Sequence, residues 1–298
     1  MRARTQQLGV ALVHLLLFSF INLAELHAQI TVSVNPANKQ DARVLLINPA
    51  TAAVTESRAY LGYKLIYPGA IPNNTFALKA SYFTLALPHV GGSRFGLGLA
   101  GRYFNTPLFQ EGKFGLQIAH ALSARLAVGA DLSLLFKSYA KENFDLVDVD
   151  DPVFRKGNSL MAFDPGFGLL AQLYEKLTFA ATFLHLTQPN VALGEAESSL
   201  PLETLFGLRF SPGSFHFDLG AHLWQKQIYS MLGAEIFSAR SGRFRLGYGL
   251  ENVSFEGQLQ LRGTASLFYS FNLPTSNLGL ISAGSHEAGF VYAFSSPK

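Results

Sequence analysis

Residues 215–224 alternate almost without error between apolar and polar side chains. Phe215, Phe217, Leu219, Ala221 and Leu223 fall on one face of a strand, and His216, Asp218, Gly220 and His222 fall on the other. Successive strand side chains point to opposite faces, so the pattern predicts one oily surface and one wet one. The same period recurs at 94–104, where Phe95, Leu97, Leu99 and Tyr103 oppose Arg94, Gly96, Gly98, Ala100 and Arg102. It recurs at 243–251, where Phe244, Leu246, Tyr248 and Leu250 oppose Arg243, Arg245, Gly247, Gly249 and Glu251. Charges keep to the wet face and aromatics to the other. Repeated segments of about ten residues of this kind are the signature of a transmembrane β-barrel with lipid outside and a polar lumen.

Alternation bounded by Gly, Pro, Asn, Asp and Ser predicts strands at 58–67, 75–87, 94–104, 113–122, 126–139, 165–174, 177–186, 203–210, 215–224, 229–237 and 243–250. The stretch 254–272 is too long for one span and divides at Arg262-Gly263. With 285–294 the total is fourteen. Loop lengths test that division, because bacterial barrels have even strand numbers, short periplasmic turns and longer outer loops. With fourteen strands, the turns at 88–93, 123–125, 175–176, 211–214, 238–242 and 262–263 share one side. The long connections at 140–164, 187–202 and 273–284 share the other. Thirteen strands would put the last long loop on the wrong side.

Composition narrows the class. Charged residues make up 14% of the chain, against roughly 25% in soluble domains, and Phe is in excess. A formal net charge of +3 with no clustered basic stripe argues against a nucleic-acid partner. There is no cysteine, which excludes a lipid attached at a lipobox Cys, a disulfide framework and a thiolate site. Arg2 and Arg4, the apolar stretch 8–21 and Leu26-His27-Ala28 predict a signal peptide over 1–28. Its apolar stretch is shorter than the roughly 20 residues a spanning helix needs. The expected organisation is therefore a leader (1–28), a periplasmic or plug segment (29–57) and one outer-membrane barrel (58–294).

Candidate chemistry is sparse. His216, Asp218 and His222 share a face, but i to i+6 in a strand spans roughly 20 Å, too far for one metal ion. Glu142, Asp145, Asp148, Asp150 and Asp151 crowd one outer loop without the glycine and spacing of an EF-hand, so a solvated acidic loop is the reading adopted over a calcium site. No nucleophile elbow, phosphate-binding loop or HExxH motif occurs, and neither catalysis nor a cofactor is expected. The inward cations are Lys64, Lys79, Arg94, Arg102, Lys113, Lys137, Arg209, Arg243 and Arg245. With Asp131, Asp218, Glu235, Glu251 and Glu287 they predict an ion-paired lining, since buried charges must be paired. Predicted lumen positions are thus Arg94, Arg102, Asp131, His216, Asp218, His222, Arg243 and Arg245.

Between the strands the chain resembles a known family. Asn48-Pro49-Ala50 precedes the first strand, Asp150-Asp151-Pro152-Val153-Phe154 lies in the longest loop, and Gly166-Phe167-Gly168 opens the next strand. His185-Leu186 ends the one after, and Ser285, His286 and Glu287 begin the last. In that order these segments resemble the PorP/SprF outer-membrane proteins of the type IX secretion system, over about residues 42–294. The resemblance implies a barrel related to FadL-type transporters, acting in type IX secretion or gliding motility with other outer-membrane and periplasmic subunits. Gly233-Ala234-Glu235 followed by Arg245-Leu246-Gly247-Tyr248 is similar to the PorV-type barrels of the same system. A second triplet, Asn35-Pro36-Ala37, is similar to the N-terminal plug of fatty-acid transporters.

The last strand, alternating up to Phe294, resembles the insertion signal read by the barrel-assembly machinery. Expected partners are accordingly outer-membrane lipid, that machinery and other secretion or motility subunits. The competing expectation is a FadL-like transporter of hydrophobic compounds.

Overall fold

The computed structural model describes residues 34–68, 78–140, 157–192, 197–238, 242–249, 252–261, 264–276, 279 and 282–294. The expected leader, the acidic loop with Asp151 and Pro152, Glu251 and the tail 295–298 lie outside them.

Among the described residues fourteen antiparallel strands close into one barrel. In chain order they are β1 (Arg58–Ile66), β2 (Leu78–Leu87), β3 (Phe95–Asn105), β4 (Phe109–Ser123), β5 (Leu126–Tyr139), β6 (Ser159–Tyr174), β7 (Leu177–Leu184), β8 (Glu203–Phe210), β9 (Phe215–Trp224), β10 (Gln227–Ser238), β11 (Gly242–Gly249), β12 (Asn252–Gln260), β13 (Ala265–Pro274) and β14 (Ser285–Ala293). Each strand pairs with the next, and β1 closes on β14, with Lys64 opposite Glu287. Closure leaves no edge, so every ladder group is satisfied inside the sheet, as hydrocarbon requires. No described helix is long and apolar enough to cross a membrane; this chain crosses with strands.

The two faces separate as the alternation demands. On β9 Leu219 is 51% exposed and Asp218 5%; on β11 Leu246 is 45% exposed and Arg245 5%. Phe95, Phe215, Phe244 and Tyr292 are exposed on the outer face at strand ends on the side of the short turns. They form an aromatic girdle at one membrane interface, and the short turns mark that side as periplasmic.

Among the strand ends that differ from expectation, three have a physical reason in the structure. β4 starts at Phe109, ahead of Lys113, because Gly112 is a ladder residue, paired with Phe136 on the outer face, rather than a turn. β6 starts at Ser159, with Pro165 inside it. Pro165 pairs with Leu132 of β5, whereas the β6–β7 ladder begins only at Phe167, so the missing N–H falls where no ladder bond is due. β7 stops at Leu184 because His185 takes φ 59° and turns the chain away.

Two inward assignments are corrected. Arg94 precedes β3 and is exposed at the periplasmic turn, where its guanidinium donates to the Leu122 carbonyl at 3.3 Å. Lys79 is exposed on the outer face of β2, near the external rim. Each cation sits at the end of a span, where water is in reach and burial is not required.

Candidate functional site

Residues 34–57 fold back into the barrel as a plug, built from two short 3-10 turns. In the first (Ala42–Leu46), the Asp41 carboxylate accepts from the Arg43 N–H at 2.9 Å. In the second (Pro49–Ala53), the Asn48 side-chain oxygen accepts from the Ala50 N–H at 3.1 Å, and proline occupies the first position. Both are side-chain caps that satisfy the free donors of a turn start.

Each Asn-Pro-Ala triplet uses its asparagine twice. Asn48 donates to the Pro36 carbonyl at 3.1 Å and to Leu169 of β6 at 3.4 Å. Asn35 accepts from the Ala37 N–H at 2.8 Å and donates to Leu208 of β8 at 3.1 Å and Leu219 of β9 at 3.2 Å.

The wall is hollowed to receive these turns. A Cβ at Gly168 would lie 2.2 Å from Asn48 Oδ1, one at Gly207 2.3 Å from Asn35 Oδ1, and one at Gly96 2.2 Å from the Ala52 carbonyl. Ala50, Ala52 and Ala53 pack on Ala119, Ala121, Ala127, Ala180 and Leu170 of the wall. Small residues on both sides let backbone approach backbone, which larger side chains would prevent. Arg58, Thr84 and Gln117 then tie down plug carbonyls: Arg58 to Gln40 at 2.8 Å, Thr84 to Ala42 at 2.8 Å, Gln117 to Leu45 at 2.6 Å.

Beside the plug runs a closed ring of eight alternating charges. Arg209 lies 2.9 Å from Asp218, Asp218 3.3 Å from Arg245, Arg245 3.2 Å from Glu256 and Glu256 2.7 Å from Arg43. Arg43 lies 2.7 Å from Asp41, Asp41 3.1 Å from Arg243, Arg243 3.7 Å from Glu235 and Glu235 2.5 Å from Arg209. Four guanidinium groups and four carboxylates cancel, and two members, Asp41 and Arg43, belong to the plug. Arg43 also lies 4.1 Å from the Phe268 ring centre and 3.8 Å from Glu287, which accepts from the Tyr60 hydroxyl at 2.5 Å. Burial would raise the Asp41 carboxyl, but Arg243 and Arg43 override it and hold it well below the usual carboxylate range. Burial would likewise lower Arg43, yet Asp41, Glu256 and Glu287 keep it charged.

A second network crosses the lumen nearer the outer side. Lys113 lies 2.8 Å from Asp164 and 3.2 Å from Asp131, whose carboxylate accepts from the Ser133 hydroxyl at 2.7 Å. His185 bridges Asp164 at 2.9 Å and Glu203 at 3.4 Å, and His222 lies 2.8 Å from Glu203. Burial pulls the His185 ring down, but its hydrogen bonds to Asp164 and Glu203 raise it overall.

The structure thus places Asp131, Asp218, His222, Arg243 and Arg245 in two inward networks. His216 faces inward without joining either, its ring 6.3 Å from that of Phe237. Arg102 faces inward and is partly buried. Asn48, Pro49 and Ala50 are the buried heart of the plug. Ser285 accepts from the Tyr67 N–H at 3.2 Å, Glu287 points inward to Tyr60, and His286 lies on the outer face against Tyr269 at 2.8 Å. Among the described residues no set of three His, Asp or Glu side chains converges to hold a metal ion. Sequence reasoning missed Asp41, Arg43, Asp164, Glu203 and Glu256 as members of these networks. The available signal was the set of small residues on inward positions near the periplasmic strand ends.

The comparisons agree with this architecture. The model of the family described as type IX secretion system membrane protein PorP/SprF matches residues 41–292. Among curated proteins no relative matches the chain. Solved structures share the fold at low identity. A monoaromatic hydrocarbon channel, CymD, has 12% identity and a TM-score of 0.58, covering 88% of this chain and 95% of its own. The Pseudomonas putida toluene transporter TodX has 11% identity and a TM-score of 0.53, covering 86% and 95%. A Pseudomonas aeruginosa FadL homologue has 9% identity and a TM-score of 0.50, covering 83% and 93%. Plug, barrel and matched residues together identify the chain as an outer-membrane member of the PorP/SprF family of type IX secretion proteins.

Proposed function

We propose that this barrel serves type IX secretion or gliding motility by holding other subunits at its rims, while residues 34–57 keep its lumen shut. The ring of eight charges supports this reading. A conduit for hydrophobic compounds wants an apolar path, whereas here the way past the plug runs through four guanidinium groups and four carboxylates. Moving the plug would separate Arg43 from Glu256 and leave buried charges uncompensated, a large penalty. The work is therefore assigned to surfaces: the apolar belt meets outer-membrane lipid, β14 meets the barrel-assembly machinery, and loops and periplasmic turns meet secretion or motility subunits. A photo-crosslinking amino acid at Val90 or Ser214, both on periplasmic turns, tests the last point in living cells. Covalent adducts with periplasmic secretion subunits are expected. Adducts only with lipid, or none at either position, would contradict the proposal.

A further inference from the structure

The two rims of the barrel carry opposite charge. On the periplasmic side six connections join β2 to β3, β4 to β5, β6 to β7, β8 to β9, β10 to β11 and β12 to β13. Five of them hold a cation (Arg94, Arg125, Lys176, Arg240 and Arg262) against one carboxylate, Glu175, and the β8–β9 turn has neither. The seven connections on the outer side hold four cations against eight carboxylates. The small net charge of +3 conceals this division. Arg240 and Arg262 lie outside the described residues; Arg94, Arg125 and Lys176 are described, and all three are exposed.

The plug extends the basic surface inwards. Arg58, the first residue of β1, donates to the carbonyls of Lys39 and Gln40, and the Thr55 hydroxyl donates to the Lys39 carbonyl at 3.1 Å. These bonds set Lys39 and Gln40 in the periplasmic mouth, where Gln40 is exposed and Lys39 partly so. Among the described residues the exposed carboxylates on this side are Glu56 and Glu175. Cations therefore cover the rim and reach into the opening.

A single exposed ion pair is worth little. Several charges of one sign on one face act together, drawing in a surface of opposite sign, orienting it and repelling one of like sign. Phospholipid headgroups surround the barrel and meet only its circumference, at the level of the aromatic girdle. Lys39 lies within the mouth, where lipid does not reach, and a protein seated across the opening meets rim and centre together. We propose that the periplasmic rim docks an acidic face of a protein subunit, met by Arg94, Arg125 and Lys176 at the edge and by Lys39 at the centre. This rests on the partner-holding role proposed above and names the chemistry of the partner.

The crosslinking amino acid at Ser214 tests it, because that turn carries none of these cations. It is placed in the native chain, in the triple variant Arg94→Gln, Arg125→Gln, Lys176→Gln, and in the charge-keeping triple Arg94→Lys, Arg125→Lys, Lys176→Arg. A gel shift between boiled and unboiled samples checks that each barrel is folded. The native chain should give adducts with a subunit whose crosslinked region holds more Asp and Glu than Lys and Arg. The uncharged triple should lose about fivefold in yield, since rim charges govern association, and the charge-keeping triple should lose none. Irradiating isolated envelopes in high salt should lower the native yield as well, because about 1 M salt screens charges beyond roughly 3 Å. Protein adducts of equal yield from the native and uncharged chains would overturn this proposal and leave the partner-holding role standing. So would a native yield unmoved by salt, or a crosslinked region rich in Lys and Arg. Adducts only with lipid, or none at Val90 or Ser214, would overturn both.

Discussion

Arg43 and Glu256, 213 residues apart in sequence, meet at 2.7 Å inside the barrel. One belongs to the plug and the other to β12, so a single charge-assisted contact joins the two parts of the molecule. It is stronger than an isolated pair because each member is held by a second one: Arg43 by Asp41, Glu256 by Arg245.

Breaking the ring at one point should cost more than the pair itself is worth. Arg43→Ala leaves Asp41 and Glu256 buried and uncompensated, and a loss of about 3–5 kcal/mol is expected. Arg43→Lys should recover only part of it, since lysine lacks the planar fork that reaches two carboxylates at once. Denaturant unfolding in detergent or lipid measures both, and an Arg43→Ala protein as stable as the native one would remove the ring from the account.

The glycines of the wall should behave according to what faces them. Gly168→Val drives a side chain into Asn48 and Pro49, and is expected to unseat the plug and open an ion conductance in planar bilayers. Gly257→Ala, where a new Cβ meets nothing within 4 Å, should leave the barrel closed and as stable as before. Equal conductance for the two variants would contradict the seating described here.

The outer face has its own test. Leu219→Arg or Leu246→Arg places a cation in the lipid belt and should cost about 2–4 kcal/mol near the bilayer midplane. The chain has no cysteine, so single cysteines report facing directly. A water-soluble thiol reagent should distinguish position 218 from 219 and position 245 from 246. Equal labelling of such neighbours would mean that the register is wrong.

His185 gives a pH dependence of fixed sign. Its contacts with Asp164 and Glu203 raise its folded pKa above the usual value of about 6.5. The stabilisation they supply is then fully present below that usual value and is lost as pH rises through the raised one. The stability difference between the native chain and His185→Gln should shrink as pH climbs past neutrality. A difference that grows on the alkaline side would show that the ring acts as a neutral group.

The barrel was legible in the sequence because a two-residue period survives wherever one face meets lipid and the other does not. Strand number followed from loop sidedness, and Asp218, Arg243 and Arg245 could be placed by parity alone. What parity cannot give is the partner. Arg94 carries a sign like that of Arg209 and is left outside only because it precedes β3, whereas Lys79 shares the outer face of β2 with Phe83 and Leu85. Glycines such as Gly96 and Gly168 stand in the alternation only as small residues on the wet face, whereas their positions are set by the plug turns pressing against them. Arg43 was hidden for the same reason, since its partners on the wall, Glu256 and Glu287, lie more than two hundred residues away.

The central claim is that this barrel works through partners and not as a conduit for hydrophobic compounds. A deletion strain assayed side by side for secreted cargo and surface adhesins, and for uptake of a fatty acid, tests it most directly. The account predicts that secretion or gliding fails while uptake is unchanged; normal secretion with impaired uptake would contradict it.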